Sequence, residues 1–143
     1  MNAKKFLMQL KKWELMIRNK LIEKERWKSI AMNTTAKMGG ERVQSSGSQQ
    51  KMADAVDKYV DMETEINRCI DSLIDARNDV ISVIEKLNAT EYDLLHKIYV
   101  QYIPLYEIPD ILDKSYSWVT TVHGRALKNV QKILDDRERE DDG

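Results

Sequence analysis

A heptad repeat between residues 51 and 87 places the strongest constraint on what this chain can fold into. Apolar residues recur every seven positions without a break, and a second apolar series lies three positions further on. The first series is Met52, Tyr59, Ile66, Leu73, Val80 and Leu87, and the second is Ala55, Met62, Cys69, Ala76 and Val83. This spacing predicts one long helix with a double apolar stripe that must be buried against another helix.

Residues 3–32 are the nearest candidate for that other helix. They carry two series at the same spacing, Phe6, Trp13, Lys20 and Trp27 with Leu10, Ile17, Lys24 and Ala31. Because two lysines interrupt this seam, we expect Leu21 and Ile22 to take over the contact there. Residues 1–50 have a net charge of +7 and residues 51–87 a net charge of -4, so the two helices should attract each other.

These patterns predict an antiparallel, coiled-coil-like helical hairpin over residues 1–87. Residues 33–50 contain three of the five glycines and many Ser, Thr and Gln residues, which is typical of a loop. Within that loop, Lys37 and Arg42 could form a basic arm that contacts DNA. Dimerisation of two copies through the long helices is a further hypothesis, motivated by the double stripe.

Composition supports an all-α fold in a reducing compartment. Five glycines and two prolines in 143 residues favour few, long elements. A single cysteine, Cys69, excludes an internal disulfide framework, and its place in the apolar stripe predicts a buried side chain. No apolar run approaches the ~18 residues of a membrane span, and the N-terminus lacks a secretion signal. We therefore expect a cytoplasmic protein with no membrane partner.

Residues 88–134 predict a second domain built as a helix-turn-helix. A capping box at Thr90–Asp93 should open a helix with Tyr92, Leu95, Ile98, Tyr99 and Tyr102 on its apolar face, which Pro104 closes. A short helix with Pro109 in its first turn follows, and the chain breaks at Asp113 and Lys114. Ser115 is a suitable N-cap for the next helix. The apolar stripe of that helix is Val119, Val122, Ala126, Val130 and Ile133. The charged tail, residues 135–143, is expected to be a fraying helix end followed by disorder.

No enzyme motif is found in the sequence. The two histidines, His96 and His123, lie 27 positions apart without a cysteine or carboxylate at ligand spacing. The glycine-rich phosphate-binding motifs and the nucleophile elbow are also missing. We therefore expect no catalytic residues, no metal and no cofactor, with His123 serving to cap, to pack or to contact a phosphate.

From Leu87 to Leu134 the sequence resembles region 4 of the sigma-70-type RNA polymerase sigma factors. The residues that carry the resemblance are Glu107, Ile108, Ile111, Leu112, Ser115, Val119, Val122, Arg125, Ala126, Leu127 and Val130. Three further stretches are Ser48-Gln49-Gln50-Lys51, Glu63-Thr64-Glu65-Ile66-Asn67 and, above all, His123-Gly124-Arg125-Ala126-Leu127. Through them the whole chain also resembles a family of phage and prophage proteins similar to ArpU-type late-gene regulators. Pro109 and Asp113 depart from the sigma pattern, which has small Ala and Gly residues there. No region 2 is visible, so a complete sigma factor is excluded.

The resemblance implies that the second helix of this unit enters the DNA major groove. The matching base-facing positions are Tyr116, Ser117, Thr120 and Thr121, and periodicity places them opposite the apolar stripe. Lys114, Arg125 and Lys128 would hold phosphates, and Gly124 would allow a close approach to DNA or to a neighbouring helix. Together with Ser115, these residues form the candidate DNA-binding set.

The function expected from these features is phage or prophage transcription regulation. Double-stranded DNA is the expected partner, and RNA polymerase is a candidate second partner. Residues 88–143 have a net charge of -4, which argues against a strongly basic DNA clamp. The alternative is a non-enzymatic helical adaptor or assembly factor, for example in DNA packaging, that acts through the hairpin.

Overall fold

A computed structural model describes residues 1–40 and 46–142, with side chains described for residues 1–33, 47 and 49–142. Within these ranges every regular element is helical, which confirms the predicted all-α class. The elements are α1 (Ala3–Leu7), α2 (Gln9–Gly40), α3 (Ser46–Ile84), α4 (Ala89–Leu95), a π-helical turn (His96–Val100), a 3-10 turn (Leu105–Glu107), α5 (Ile108–Leu112) and α6 (Tyr116–Asp142).

The chain divides into two compact units. The terminal unit combines Met1–Lys12 with Leu73–Gly143, and the middle unit is Trp13–Ser72. This division differs from the predicted boundary at residue 87, because the start of the chain and the end of α3 belong with the C-terminal helices. The Met1 carbonyl and the Ala3 amide both bond to the side chain of Gln131, which ties the two chain ends together.

The predicted loop at 33–50 is largely wrong. Helix α2 continues to Gly40 and α3 already begins at Ser46, so of the predicted loop only residues 41–45 lie outside the described structure. Single glycines and β-branched residues cost at most about 1 kcal/mol each in a helix, and tertiary context routinely overrides such preferences. The proposed basic arm falls on Lys37 and Arg42, which lie outside the described side chains.

Ion pairs join α2 and α3 in the middle unit. The Lys20 ammonium lies 3.0 Å from Glu65, and the Lys24 ammonium lies 3.3 Å from Glu63 and 5.1 Å above the Tyr59 ring. The hydrogen bond between Lys20 and Glu65 raises the pKa of Lys20 and lowers the pKa of Glu65. The expectation that Leu21 and Ile22 replace the lysines is wrong, since both are about half exposed or more. Long lysine stems can lie along an apolar seam while their ammonium groups reach carboxylates.

The heptad repeat of α3 is protected from solvent along its length, as predicted. Seven of its members are fully buried, namely Ala55, Met62, Ile66, Cys69, Ala76, Val80 and Val83, and the other four are half-buried. Cys69 is a free, buried thiol. The described helices include none that is both long and apolar enough to cross a membrane.

The core of the terminal unit forms where α4, α5 and α6 meet. Leu94, Ile108, Val119 and Val122 are buried together in one cluster. Further along α6, Ala126 and Val130 continue the buried stripe, which ends at Leu134 rather than at the predicted Ile133. Helix α1 also packs against α6.

The start of α4 differs from the predicted capping box. Asn88, not Thr90, is the N-cap, and its side-chain oxygen accepts a hydrogen bond from the Glu91 amide at 2.9 Å. The helix then changes to a π-helical turn at His96, and the buried apolar residues of this stretch are Leu94, Leu95, Tyr99 and Val100. A π turn contains one residue more than an α turn, which rotates the following side chains away from the predicted face.

The acidic tail is helical rather than disordered, because α6 continues to Asp142. Arg137 donates to Asp79 at 2.8 Å, and the Met1 ammonium lies 2.9 Å from Glu138. Charge alone predicted a solvated end, but these pairs hold the tail against other parts of the terminal unit.

Candidate nucleic-acid interface

The connection between α5 and α6 is a tight turn with a left-handed residue at its centre. Asp113 has φ 53° and ψ 51°, and the Lys114 amide bonds back to the Pro109 carbonyl at 3.0 Å. Aspartate tolerates this region better than most residues with a Cβ atom. As predicted, Pro109 lies in the first turn of α5, where its missing amide breaks no helical hydrogen bond.

Ser115 caps the start of α6. Its hydroxyl oxygen accepts a hydrogen bond from the Trp118 amide at 3.0 Å, which confirms its predicted role as N-cap. Trp118 is half-buried against the core cluster, and the Lys114 ammonium lies 5.3 Å above its indole ring. The first turn of α6 is therefore fixed from both sides, by a cap on its amides and by an anchored aromatic ring.

The four predicted base-facing residues lie close together along one stretch of α6. Tyr116, Ser117 and Thr121 are exposed, and Thr120 is half-buried. The Thr120 hydroxyl donates to the Ser117 carbonyl at 3.1 Å, so part of its hydrogen-bonding capacity is used inside the helix. The remaining groups present hydroxyls and a threonine methyl to solvent, and such groups can read base edges in a major groove.

Arg125 has a structural partner that the sequence prediction did not foresee. Its Nε donates to Oε1 of Glu91 at 2.9 Å, and the Asn129 amide donates to both oxygens of the same carboxylate at 3.0 Å. The Glu91 side chain is only 2% exposed, whereas that of Arg125 is 55% exposed. Arg125 therefore neutralises a buried carboxylate first, and only the outer part of its guanidinium remains accessible.

Glu91 and Asn129 were missed because they are separated by 38 positions and neither belongs to a recognisable motif. The one available signal was the place of Glu91 in the α4 sequence, one position before Tyr92 and three before Leu94. A carboxylate at that position of a core-facing helix needs a buried partner. The identity of that partner requires the tertiary fold.

Gly124 does not make a close helix contact. A Cβ atom placed there would meet nothing within 4 Å, so the prediction of a tightly packed neighbouring helix is wrong. Lys128, one turn further on, is exposed. Neither Lys114 nor Lys128 forms an ion pair with any residue in the described ranges.

His123 packs rather than pointing freely to solvent. Its Nε2 lies 2.8 Å from the Tyr99 hydroxyl, and the two rings stack at 5.8 Å between centroids. Burial lowers the pKa of His123, and the nearby charge of Lys4 lowers it further. Both effects favour the neutral form of the imidazole, so packing is the role of His123 that its contacts support.

Among the described residues, no group of three or more His, Cys, Asp or Glu side chains is arranged to hold a metal ion. No protein-family model, curated protein or solved structure matches the chain.

Proposed function

We propose that this protein regulates transcription by binding promoter DNA through α5, the Asp113 turn and the start of α6, used as a helix-turn-helix. The observation that carries the proposal is the exposed hydroxyl-rich surface of Tyr116, Ser117 and Thr121 on a helix whose first turn is capped by Ser115. The sigma region 4 resemblance of residues 87–134 supports the same assignment and suggests RNA polymerase as a second partner. The proposal includes that the regulator is encoded by a phage or prophage.

Rigidity of the reading helix supports this function. The Asp113 turn, the Ser115 cap and the buried cluster of Leu94, Ile108, Val119 and Val122 hold the first turns of α6 in a fixed orientation. Groups that read base edges need such support, since specificity depends on the placement of donors and acceptors. Lys114 and Lys128 flank the hydroxyl surface and would contact phosphates on either side of it.

The charge distribution sets the expected strength of binding. With Arg125 largely committed to Glu91, Lys114 and Lys128 are the cations of the candidate set left for phosphate contacts. So few contacts give a weak, moderately salt-dependent complex. We therefore propose that useful affinity comes from a second contact, through polymerase or a second copy of the chain.

The test is binding of the full chain to promoter-derived and random duplexes over a range of salt concentrations. We expect weak binding at low salt, with an affinity that falls as the salt concentration rises. The slope of log K against log salt should correspond to about two phosphate contacts. No binding to any duplex at low salt would overturn the proposal. Adding polymerase in a parallel series measures whether the partner supplies the missing affinity.

The second candidate, a helical adaptor or assembly factor, is favoured by a different observation. The middle unit leaves several apolar side chains about half exposed, namely Leu15, Leu21, Ile22, Val56 and Val60. The adaptor requires that these side chains form one patch, because only contiguous exposed apolar residues mark an interaction surface. The homodimer hypothesis now rests on this surface, because the double stripe that first motivated it is already protected within the chain.

Light scattering at micromolar concentration separates these possibilities. A dimer that Val56→Glu with Val60→Glu converts to a monomer supports an interface on this surface. A monomeric protein that still binds duplex DNA supports the regulator without self-association. A monomer that binds no duplex favours the adaptor.

A further inference from the structure

A pocket of about 250 Å³ lies in the terminal unit, between α1, the start of α2 and the π-helical turn. Its apolar wall is formed by Met8, Ile98 and Leu105, with the ring of Tyr99 beside them. An apolar cavity of ~150 Å³ is large enough to hold benzene, so this pocket can accept a ring or a short chain with a polar group attached. The pocket plays no part in the proposed DNA contact.

The backbone beside this pocket is irregular in two places. The chain makes a π-helical turn at His96–Val100, with the Gln101 amide bonded to the His96 carbonyl at 2.9 Å. Tyr102 follows with φ 59°, a left-handed conformation that an aromatic residue rarely adopts. Both Tyr99 and Tyr102 line the pocket. Single π turns and strained residues concentrate at functional sites, and here both lie at the same cavity.

The charge at this pocket is positive and lacks a local counter-ion. Lys4 and Lys11 line it, and neither forms an ion pair with a residue of the described ranges. The His123 imidazole, bonded to the Tyr99 hydroxyl at 2.8 Å, completes the polar side. The two lysines supply the positive charge.

We propose that this pocket binds a small organic carboxylate with an apolar body, seated against Met8, Ile98 and Leu105 with its anionic group toward Lys4 and Lys11. Apolar walls with a few convergent polar groups are the usual makeup of small-ligand sites. Lys4 and Lys11 are exposed, so water solvates their ammonium groups when a neutral ligand is bound, and only an anionic ligand gains an ion pair from them. A highly charged ligand would not desolvate against the apolar wall. This inference does not rest on DNA binding, although α6 carries both His123 and the candidate reading residues.

The test uses the full chain and benzoate as the probe, with benzamide as its uncharged isostere. NMR of methyl groups locates the ligand, and calorimetry gives the affinity. We expect benzoate to shift the methyl signals of Ile98, Leu105 and Met8 and to bind at least about tenfold more tightly than benzamide. A short-chain carboxylate, hexanoate, tests whether the apolar body must be a ring.

Lysine variants test the anion contact. Lys4→Met and Lys11→Met should each weaken benzoate about threefold, because both ammonium groups are exposed to water, whereas Lys4→Arg should retain most of the affinity. The matched control is Lys5→Met, because Lys5 is exposed on the same helix but does not line the pocket. Thermal unfolding of each variant checks that the fold is retained.

Three results would overturn the inference. One is the absence of any shift in the pocket methyl signals of the unmodified protein at millimolar benzoate, a measurement that needs no variant. The second is equal affinity for benzoate and benzamide. The third is equal weakening by Lys5→Met and Lys4→Met. Duplex binding can fail while benzoate binding succeeds, so the two proposals are tested separately.

Discussion

Glu91 Oε1 accepts a hydrogen bond from Arg125 Nε at 2.9 Å, which joins α4 to α6 through a carboxylate that is almost fully buried. The two side chains of this pair differ in their exposure to solvent. Arg125 is half exposed and can be solvated without its partner, whereas Glu91 cannot. Removal of the arginine should therefore cost more than its exposure alone suggests, because it leaves a buried charge with only Asn129 as a side-chain partner.

Arg125→Ala should lower the free energy of unfolding by about 3 kcal/mol, near the low end for a broken buried pair, since Asn129 continues to donate. Arg139→Ala is the matched control. Arg139 is 80% exposed and lies 3.7 Å from Asp136, so its loss should cost less than about 1 kcal/mol. Urea unfolding of both variants measures the difference. Equal costs for the two would show that the Glu91 pair contributes no more than a surface ion pair.

The turn at Asp113 should be improved by glycine. Asp113→Gly removes the Cβ atom from a left-handed residue, and we expect a stabilisation of about 0.5–1 kcal/mol after the entropy gained by the unfolded chain is subtracted. Asp110→Gly, in the short helix that ends at this turn, should instead destabilise by about 0.5 kcal/mol, because it lowers helix propensity and removes an acidic side chain from the first turn. Thermal unfolding of the pair should give shifts of opposite sign. Shifts of the same sign would contradict the left-handed assignment.

His123 should make stability depend on pH in the range below about 6.5. Its pKa is lowered in the folded state, chiefly by burial and also by Lys4, so the unfolded chain binds the proton more readily. The contribution of neutral His123 to stability is therefore fully present above the pKa of this histidine in the unfolded chain. It is lost as the pH falls from that value through the pKa of His123 in the folded state. Thermal unfolding between pH 7.5 and pH 5 measures the loss, in the range above the pH where carboxylates titrate.

The control for this pH effect is a pair of histidine variants. His123→Gln retains a polar side chain near the Tyr99 hydroxyl and should flatten the slope of stability against pH. His96→Gln removes the other histidine, whose Nδ1 lies 2.8 Å from the exposed Gln101, and should leave the slope in place. A slope that survives in His123→Gln would assign the pH dependence to other groups.

The candidate reading surface predicts a contrast between hydroxyl and lysine variants. Thr120→Ala with Thr121→Ala should reduce the preference for the selected duplex over random DNA, since each lost base contact is worth about 1–3 kcal/mol. Lys128→Ala should weaken all duplexes about equally and lower the salt slope by about one, because a phosphate contact carries no sequence information. Competition binding against random DNA measures both. Unchanged preference in the double threonine variant would refute the assigned surface.

Local patterns predicted much of the fold and one part of the candidate site correctly. The heptad repeat of α3, the Ser115 cap and most of the α6 stripe follow from residue spacing and residue type within one or two turns. Such features need no information about distant residues. The same holds for the exposed positions of Tyr116, Ser117 and Thr121, which lie opposite the buried stripe of their own helix.

Several of the errors concern interactions between distant parts of the chain, whereas the N-cap at Asn88 and the helical stretches within residues 33–50 are local features. Lys20 and Lys24 are accommodated in the apolar seam of α2 because their ammonium groups reach Glu65 and Glu63. The acidic tail is helical where Arg137 forms an ion pair with Asp79. The ion pair of Arg125 was not predicted because its buried partner, Glu91, is 34 positions away. No spacing rule joins such residues.

By itself, then, the sequence determined an all-helical chain, the buried faces of α3 and most of α6, and the cap that opens α6, because periodicity and capping act locally. Only the tertiary structure decided which charges are paired, where the π turn and the left-handed Tyr102 lie, and that Lys4, Lys11, Tyr99 and His123 line one pocket. These features depend on distances between helices, which a linear pattern of residues does not specify.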